Sequence, residues 1–329
     1  MILPNIDFCP GTLAGGFNKY STTCLRRVFK GRSVSHVLPY DSPSSDEMSQ
    51  EMFAENRKRM SISGVQEKFS VILDKNKLRL VDEGEVGSHI LKPIPNAGKN
   101  AVQMPANEHL SMQIARQVFN IETAENALIF FRNGDPAYIT KRFDIDAVGG
   151  KLAKEDFASL TGRTPQTHGE HYKYLGNYLE LFQQMKKHLP AYKLESARLY
   201  KLLVFNYLFS NGDAHLKNFS LLETPQGDFR LSPAYDLMNT RIHVEDQVFA
   251  LDDGLLPRSI GQGTVGVQFT QLAERAELSK KQKDDVSGEL LSNSEKVGTL
   301  LEASYLDDKY KRSYLQAYQL RLKKLKKTF

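Results

Sequence analysis

From Phe69 onward the apolar and polar positions fall into short runs that predict strands. Phe69-Ser-Val-Ile-Leu73, Lys77-Leu-Arg-Leu-Val81 and His89-Ile-Leu-Lys92 are rich in β-formers, with Asp74-Lys-Asn76 and Gly84 in the polar turns between them. This predicts a small antiparallel sheet. The period then changes: Leu110, Ile114, Ala115 and Val118 lie at helical spacing between Pro105 and Phe119, with the proline near the start and Glu108 in the first turn. That helix is expected to pack on the sheet, which resumes as a hairpin of Ala127–Phe131 and Ala137–Lys141 around Asn133-Gly-Asp135.

Beyond Asp144 the pattern is mostly helical, over Tyr172–His188, Leu194–Ser210, Thr270–Ala276, Lys280–Ala303 and a basic last helix. Leu202-Leu-Val-Phe205 with Tyr207-Leu-Phe209 is apolar nearly all round, so that helix should be buried. The expectation is an α+β fold of two lobes, the first β-rich with one helix and the second helical. The expected divisions are an N-terminal segment and linker over 1–60, a first lobe over 61–144 and a second over 145–329. The most linker-like stretch runs from Tyr40 to Met60.

Composition changes this picture little. Of 329 residues, 40% are hydrophobic and 25% charged, which excludes a disordered or fibrous chain. Charge placement says more. The net charge is +5, but the eight bases from Lys309 to Lys327 (Lys309, Lys311, Arg312, Arg321, Lys323, Lys324, Lys326 and Lys327) exceed it, so the remainder is net acidic. The basicity is therefore a tail, read as a solvated helix face. Two cysteines, Cys9 and Cys24, offer no disulfide framework and are read as free thiols of an intracellular protein. Without a targeting pattern or an apolar run of about 18 residues, the chain is expected to be cytoplasmic and to have no membrane partner.

The chemistry concentrates in Ser210-Asn-Gly-Asp-Ala-His-Leu-Lys-Asn-Phe219, just after the apolar helix. Phosphoryl transfer needs a carboxylate that orients or deprotonates the attacking hydroxyl and an amide oxygen for a metal ion, and Asp213 and Asn218 stand at the kinase catalytic-loop spacing. Asp236, in Pro233-Ala-Tyr-Asp236, supplies a second carboxylate for Mg²⁺, while His215 and Lys217 add donors that could face phosphates. Upstream, Lys92 on a strand and Glu108 on the next helix repeat the logic of a phosphate lysine positioned by a glutamate. Ser61-Ile-Ser-Gly-Val-Gln-Glu-Lys68 precedes the first strand, where a turn of inward N–H groups could cap phosphates and its two hydroxyls could accept phosphate. Gly261-Gln-Gly-Thr-Val-Gly266 formally fits G-x-G-x-x-G but follows the candidate metal residues instead of preceding them, and is read as an ordinary loop.

These motifs, joined by Ile90-Leu-Lys-Pro93, Asn107-Glu108, Lys141-Arg-Phe-Asp144 and Glu155-Asp-Phe-Ala158, resemble in order the HipA-like serine/threonine kinases of bacterial toxin–antitoxin systems, over roughly Ser61 to Thr240. The resemblance implies a two-lobed protein-kinase-like fold and Mg²⁺/ATP chemistry. It makes Asp213 the catalytic aspartate, Asn218 and Asp236 the Mg²⁺ ligands, and Lys92 the phosphate lysine. Lys141 and Phe143 become the hinge for adenine, His215 a neighbour of the phosphates, and Val65, Gln66 and Lys68 the covering loop. Ser61 falls where members autophosphorylate, and a dianionic group there would be repelled by ATP phosphates. The Ser61-Ile-Ser63 doublet and the short segment before it look like the compact HipT kinases of three-gene HipBST systems.

By the same resemblance the acceptor would be an aminoacyl-tRNA synthetase. The partners would be a HipS-like small protein and a HipB-like DNA-binding protein, with DNA reached only through the latter. The residues alone leave open a small-molecule or lipid kinase, because Gly212-Asp-Ala-His215 also resembles lipid-kinase loops, and a non-catalytic ATP-binding scaffold for an antitoxin.

Overall fold

The computed structural model describes residues 6–43, 53, 67–146, 148–245 and 247–328. They form two compact units, each discontinuous in sequence. The first gathers described residues of Met1–Gln113, Ala124–Gly150 and Thr299–Lys311. Its centre is an antiparallel five-stranded sheet in the order β2-β1-β3-β5-β4, built from β1 (Phe69–Asp74), β2 (Lys77–Leu80), β3 (His89–Pro93), β4 (Asn126–Phe130) and β5 (Pro136–Lys141).

Register explains which residues reach the core. Phe69, Leu91, Ile139 and Ala127 pair across β1, β3, β5 and β4 as one row, and all four are fully buried. The short helix α1 (Thr22–Val28), Phe29 and Phe53 belong to the same apolar cluster, with the Phe53 ring 4.5 Å from that of Phe69. One residue along, Lys92 pairs with Tyr138 and Tyr138 with Leu128, so this row points to the opposite face. The outer edge of β4 is covered: its backbone bonds to Pro10, His36 and Leu38, which protects it from pairing with another chain. The stretch read as linker-like begins against the hairpin turn, where Arg132 N–H donates to the Tyr40 carbonyl and Ser42 Oγ donates to Asp135.

Residues Thr299–Lys311 complete this unit from far downstream. Gln103 Nε2 donates to Asp307 Oδ2 (2.9 Å), Tyr310 Oη to Asn100 Oδ1 (2.7 Å), and Tyr305 Oη to the Phe8 carbonyl.

The second unit gathers described residues of Ile114–Thr123, Lys151–Gly298 and Arg312–Phe329. A small antiparallel sheet of β6 (Lys154–Asp156), β7 (Ser220–Glu223) and β8 (Phe229–Leu231) accompanies the longer helices. In chain order after α2 (Met104–Gln117), these are α3 (Leu179–His188), α4 (Tyr192–Leu208), α5 (Val265–Arg275), α6 (Lys280–Ser292), α7 (Ser294–Glu302) and α8 (Asp308–Lys326). The apolar helix α4 is buried along most of its length, and Phe209 just beyond it stacks on Tyr318 of α8 at 4.7 Å. Along α8, Tyr314, Ala317, Tyr318, Arg321, Leu322 and Leu325 face inward, while Arg312, Lys323, Lys324 and Lys326, with Lys327 just beyond the helix, are exposed.

Three helix expectations change. Tyr172–His188 is a 3₁₀ turn, Tyr172–Tyr174, followed by α3; Gly176 between them takes a positive φ (88°) that interrupts a right-handed helix. Lys280–Ala303 breaks at Asn293 into α6 and α7. The helix expected from Thr270 starts at Val265, because Thr264 caps it, so the last glycine of the G-x-G-x-x-G stretch lies inside a helix. Helix α1 and strand β6 were not anticipated. Among the described residues no helix is long and apolar enough to cross a membrane.

Candidate active site

Each unit presents its own set of chemically competent residues. In the first, Lys92 projects from β3 toward α2, where Nζ meets Glu108 Oε1 at 2.7 Å; the two side chains are 4% and 1% exposed. Nζ also lies 5.3 Å from the centre of the Tyr138 ring. The strand register sets the lysine's face and the helix supplies its counter-charge, so the pair anticipated from sequence is present as geometry.

Lys141 closes β5, and its amide N–H donates to the Glu125 carbonyl at 2.7 Å. Its ammonium is shifted downward, chiefly by burial and then by Lys30. Phe143 follows, half-buried, between Arg142 and Asp144, which pair through two bonds of 2.9 and 2.7 Å. Lys68 directly precedes β1. Ser61, Ser63, Val65 and Gln66 lie outside the described residues.

In the second unit the segment after α4 turns sharply at Ser210, whose φ of 55° is left-handed. The loop is then tied group by group to distant side chains. Thr240 Oγ1 accepts from Gly212 N–H (2.9 Å) and donates to the Ser210 carbonyl (3.0 Å). Tyr178 Oη donates to the Ala214 carbonyl (2.8 Å), and Tyr235 Oη to that of Lys217 (2.9 Å). Within the loop, His215 N–H donates to the Asp213 carbonyl (2.8 Å), and so does Asn218 Nδ2 (3.3 Å). That last bond fixes the Asn218 amide and leaves its oxygen as the acceptor end.

The carboxylate of Asp213 receives a hydrogen bond from Tyr174 Oη at 2.9 Å. Tyr174 was not singled out in the sequence; the signal was three tyrosines, 172, 174 and 178, in a stretch punctuated by Gly169 and Gly176. Burial, and then the charge of Asp213, push the Tyr174 phenol upward, so it keeps its proton and remains a donor. The same ring meets His215 edge-on at 5.2 Å. His215 is 8% exposed, and burial lowers its pKa to about 4 against the opposing pull of Asp213 and Asp236, so its imidazole is neutral near pH 7. Both carboxylates therefore act electrostatically on one ring, and Asn218 N–H donates to the His215 carbonyl (2.9 Å). Asp236 itself sits at φ 55°, an uncommon backbone state of the kind found at functional sites.

The donor chemistry suits Mg²⁺, which prefers hard oxygens such as the Asp236 carboxylate and the Asn218 amide oxygen. The His215 Nδ1 atom is buried with no hydrogen-bond partner among the described residues. Among those residues no group of three or more His, Cys, Asp or Glu is placed to hold a metal ion by itself.

The HipA-like C-terminal domain family matches residues 60–297, more than two thirds of the chain. The chain belongs to this family. The HipA-like chain is 32% identical over 254 residues to the Sinorhizobium fredii protein named "Putative kinase Y4dM", covering 73% of this chain and 56% of that protein. It is 24% identical over 288 residues to a Haemophilus influenzae protein named "Putative kinase", covering 80% and 81% of the two chains. It thus spans little more than half the length of the first of these relatives. Among solved structures it is similar to a chain of the Shewanella oneidensis MR-1 toxin–antitoxin complex of HipA, HipB and operator DNA, with a TM-score of 0.59, 19% identity, and 82% and 65% of the two chains covered. It is also similar to the Helicobacter pylori proinflammatory kinase CtkA, with a TM-score of 0.51, 15% identity and coverage of 77% and 92%. The fold is kinase-like.

Proposed function

We propose that this chain is a Mg²⁺/ATP-dependent protein serine/threonine kinase and the toxin of a HipBST-like system. The observation that carries the reading is the gathering of Asp213, Asn218 and Asp236 around His215, in the order and residue types that phosphoryl transfer requires. In this reading Asp213 accepts the acceptor hydroxyl's proton, and Asn218 and Asp236 hold Mg²⁺, which when bound neutralises charge developing on the phosphates. Lys92, kept in place by Glu108, grips the phosphates, and His215 sits beside them. Lys68, Val65 and Gln66 cover them. Adenine lies against the backbone of Lys141 and Phe143; since the Lys141 N–H already serves Glu125, Lys141 is assigned its carbonyl.

Family membership supports an aminoacyl-tRNA synthetase as the acceptor, and autophosphorylation of Ser61 or Ser63 as the means of self-inactivation. The likeness to a chain solved with HipB and operator DNA supports a HipB-like partner that carries the DNA contact, beside a HipS-like small antitoxin. The Ser61-Ile-Ser63 doublet supports the HipT-like assignment.

The test is incubation with γ-labelled ATP, Mg²⁺ and a bacterial lysate, followed by mapping of phosphosites. Asp213→Asn should label nothing, and wild type should label a synthetase together with Ser61 or Ser63. Equal labelling by the two chains would remove Asp213 from the chemistry, and no label from wild type would remove the kinase reading.

A further inference from the structure

Asp213 is held by its backbone within the loop, but its carboxylate is held from elsewhere. Tyr174 lies on a turn whose backbone attachments fall outside the Ser210–Phe219 segment, although Lys217 Nζ donates to Tyr172 Oη (3.3 Å). The Tyr174 carbonyl accepts from Asp252 N–H (2.9 Å), the Leu175 carbonyl from Arg163 Nη1 (2.9 Å), and the Gly176 carbonyl from Asp253 N–H (3.0 Å). The pairing continues as Tyr178 and Leu179 donate their N–H groups to the carbonyls of Gly254 and Leu255. The ring packs against His171, at 4.9 Å, and His215, at 5.2 Å, which restricts the swing of its hydroxyl.

A carboxylate acting as a base has two equivalent oxygens and rotates about the Cβ–Cγ bond. A donor on one oxygen stops that rotation and fixes where the other points, which matters because a misplacement of about 1 Å can cost roughly 10²-fold in rate. We propose that Tyr174 is the positioning residue of the Asp213 base, its hydroxyl pinning Oδ1 from a turn whose backbone is anchored on the Asp252–Leu255 strip, so that Oδ2 meets the acceptor hydroxyl. The inference rests on the reading of Asp213 as that base. It gives the Tyr172–Tyr174 turn a task in the reaction, and it makes the Asp252–Leu255 strip, which holds the turn, a remote determinant of rate.

The test uses the full chain and its single-turnover self-labelling rate as a function of ATP concentration, with Tyr174→Phe and with 4-aminophenylalanine at position 174. The phenylalanine ring keeps the packing on His171 and His215 and removes only the hydroxyl. The maximal rate should fall about tenfold, with the half-saturating ATP concentration within about twofold of wild type and the melting temperature unchanged. The aromatic amine, an N–H donor on the same ring, should recover most of the loss, which a purely structural role would not require.

A Tyr174→Phe rate equal to wild type overturns the proposal, as does a loss that the amine fails to rescue. A faster rate also overturns it, by showing that the phenol occupies the acceptor's place. Full rate in Tyr174→Phe beside an inactive Asp213→Asn sinks this inference alone, whereas an active Asp213→Asn sinks the reading beneath it.

Discussion

Lys92 and Asp213 carry complementary parts of the proposed chemistry, yet the chain places them by different physics. Lys92 sits in a strand row beside its paired neighbour Tyr138, its charge buried against Glu108, so its position follows from sheet register and helix packing. Asp213 sits in an aperiodic loop whose carbonyls and N–H groups are met by Thr240, Tyr178, Tyr235 and Asn206 from other parts of the sequence. A ladder places a residue by repetition. A loop needs one dedicated partner per group. The first arrangement ties function to the stability of the core, and the second frees it.

Stability measurements can break this contrast. The largest expected effect is that of Lys92→Met, which strands the Glu108 charge in the interior and should destabilise the fold by about 3–5 kcal/mol in urea unfolding, with much of the loss restored by adding Glu108→Gln. An effect below about 1 kcal/mol would mean the pair is not part of the core's balance.

Next comes acid. Burial lowers His89 and His109 of the first unit to about 4, so between pH 6.5 and 4 the unfolded chain binds protons that the folded chain refuses. Stability should therefore fall as pH falls through that window, by about 2 kcal/mol for the two residues between pH 6 and 5. Nuclear magnetic resonance titration showing both imidazoles charged in the folded protein at pH 5.5 would refute it.

Thr240→Val removes one donor and one acceptor from the loop and should cost about 1–2 kcal/mol, with a drop in labelling rate larger than the stability loss explains. Smallest of all is Asp213→Asn, expected to leave unfolding within about 0.5 kcal/mol of wild type while abolishing transfer. A large stability loss there would erase the distinction between the two placements.

The same contrast explains what was legible in the sequence. The five strands of the main sheet and α2 were found within a few residues, because alternation and helical spacing mark their buried faces directly. Lys92 and Glu108 came with them. Spacing singled out Asp213, Asn218 and Asp236 as candidates, but not Tyr174, Tyr178 and Thr240, which bond to that loop, since a bond from a remote side chain leaves no periodic trace. The overextended helix from Tyr172 hid Tyr174 in particular: its turn was absorbed into a helical pattern that Gly176 in fact ends. Helix α1 escaped notice because two turns give too few positions to show a period.

The discontinuity of the first unit also sets a timetable for translation. Its sheet is complete in sequence at Lys141, yet Tyr305, Asp307 and Tyr310, which bond to Phe8, Gln103 and Asn100, emerge only after most of the second unit has been made. At about 5–20 residues per second, the roughly 160 residues between Gly150 and Lys311 occupy the ribosome for about 10–30 s. Throughout that interval the nascent sheet lacks its closing segment, so the unit begun first is sealed late, and a chain that stalls before Thr299 leaves it open.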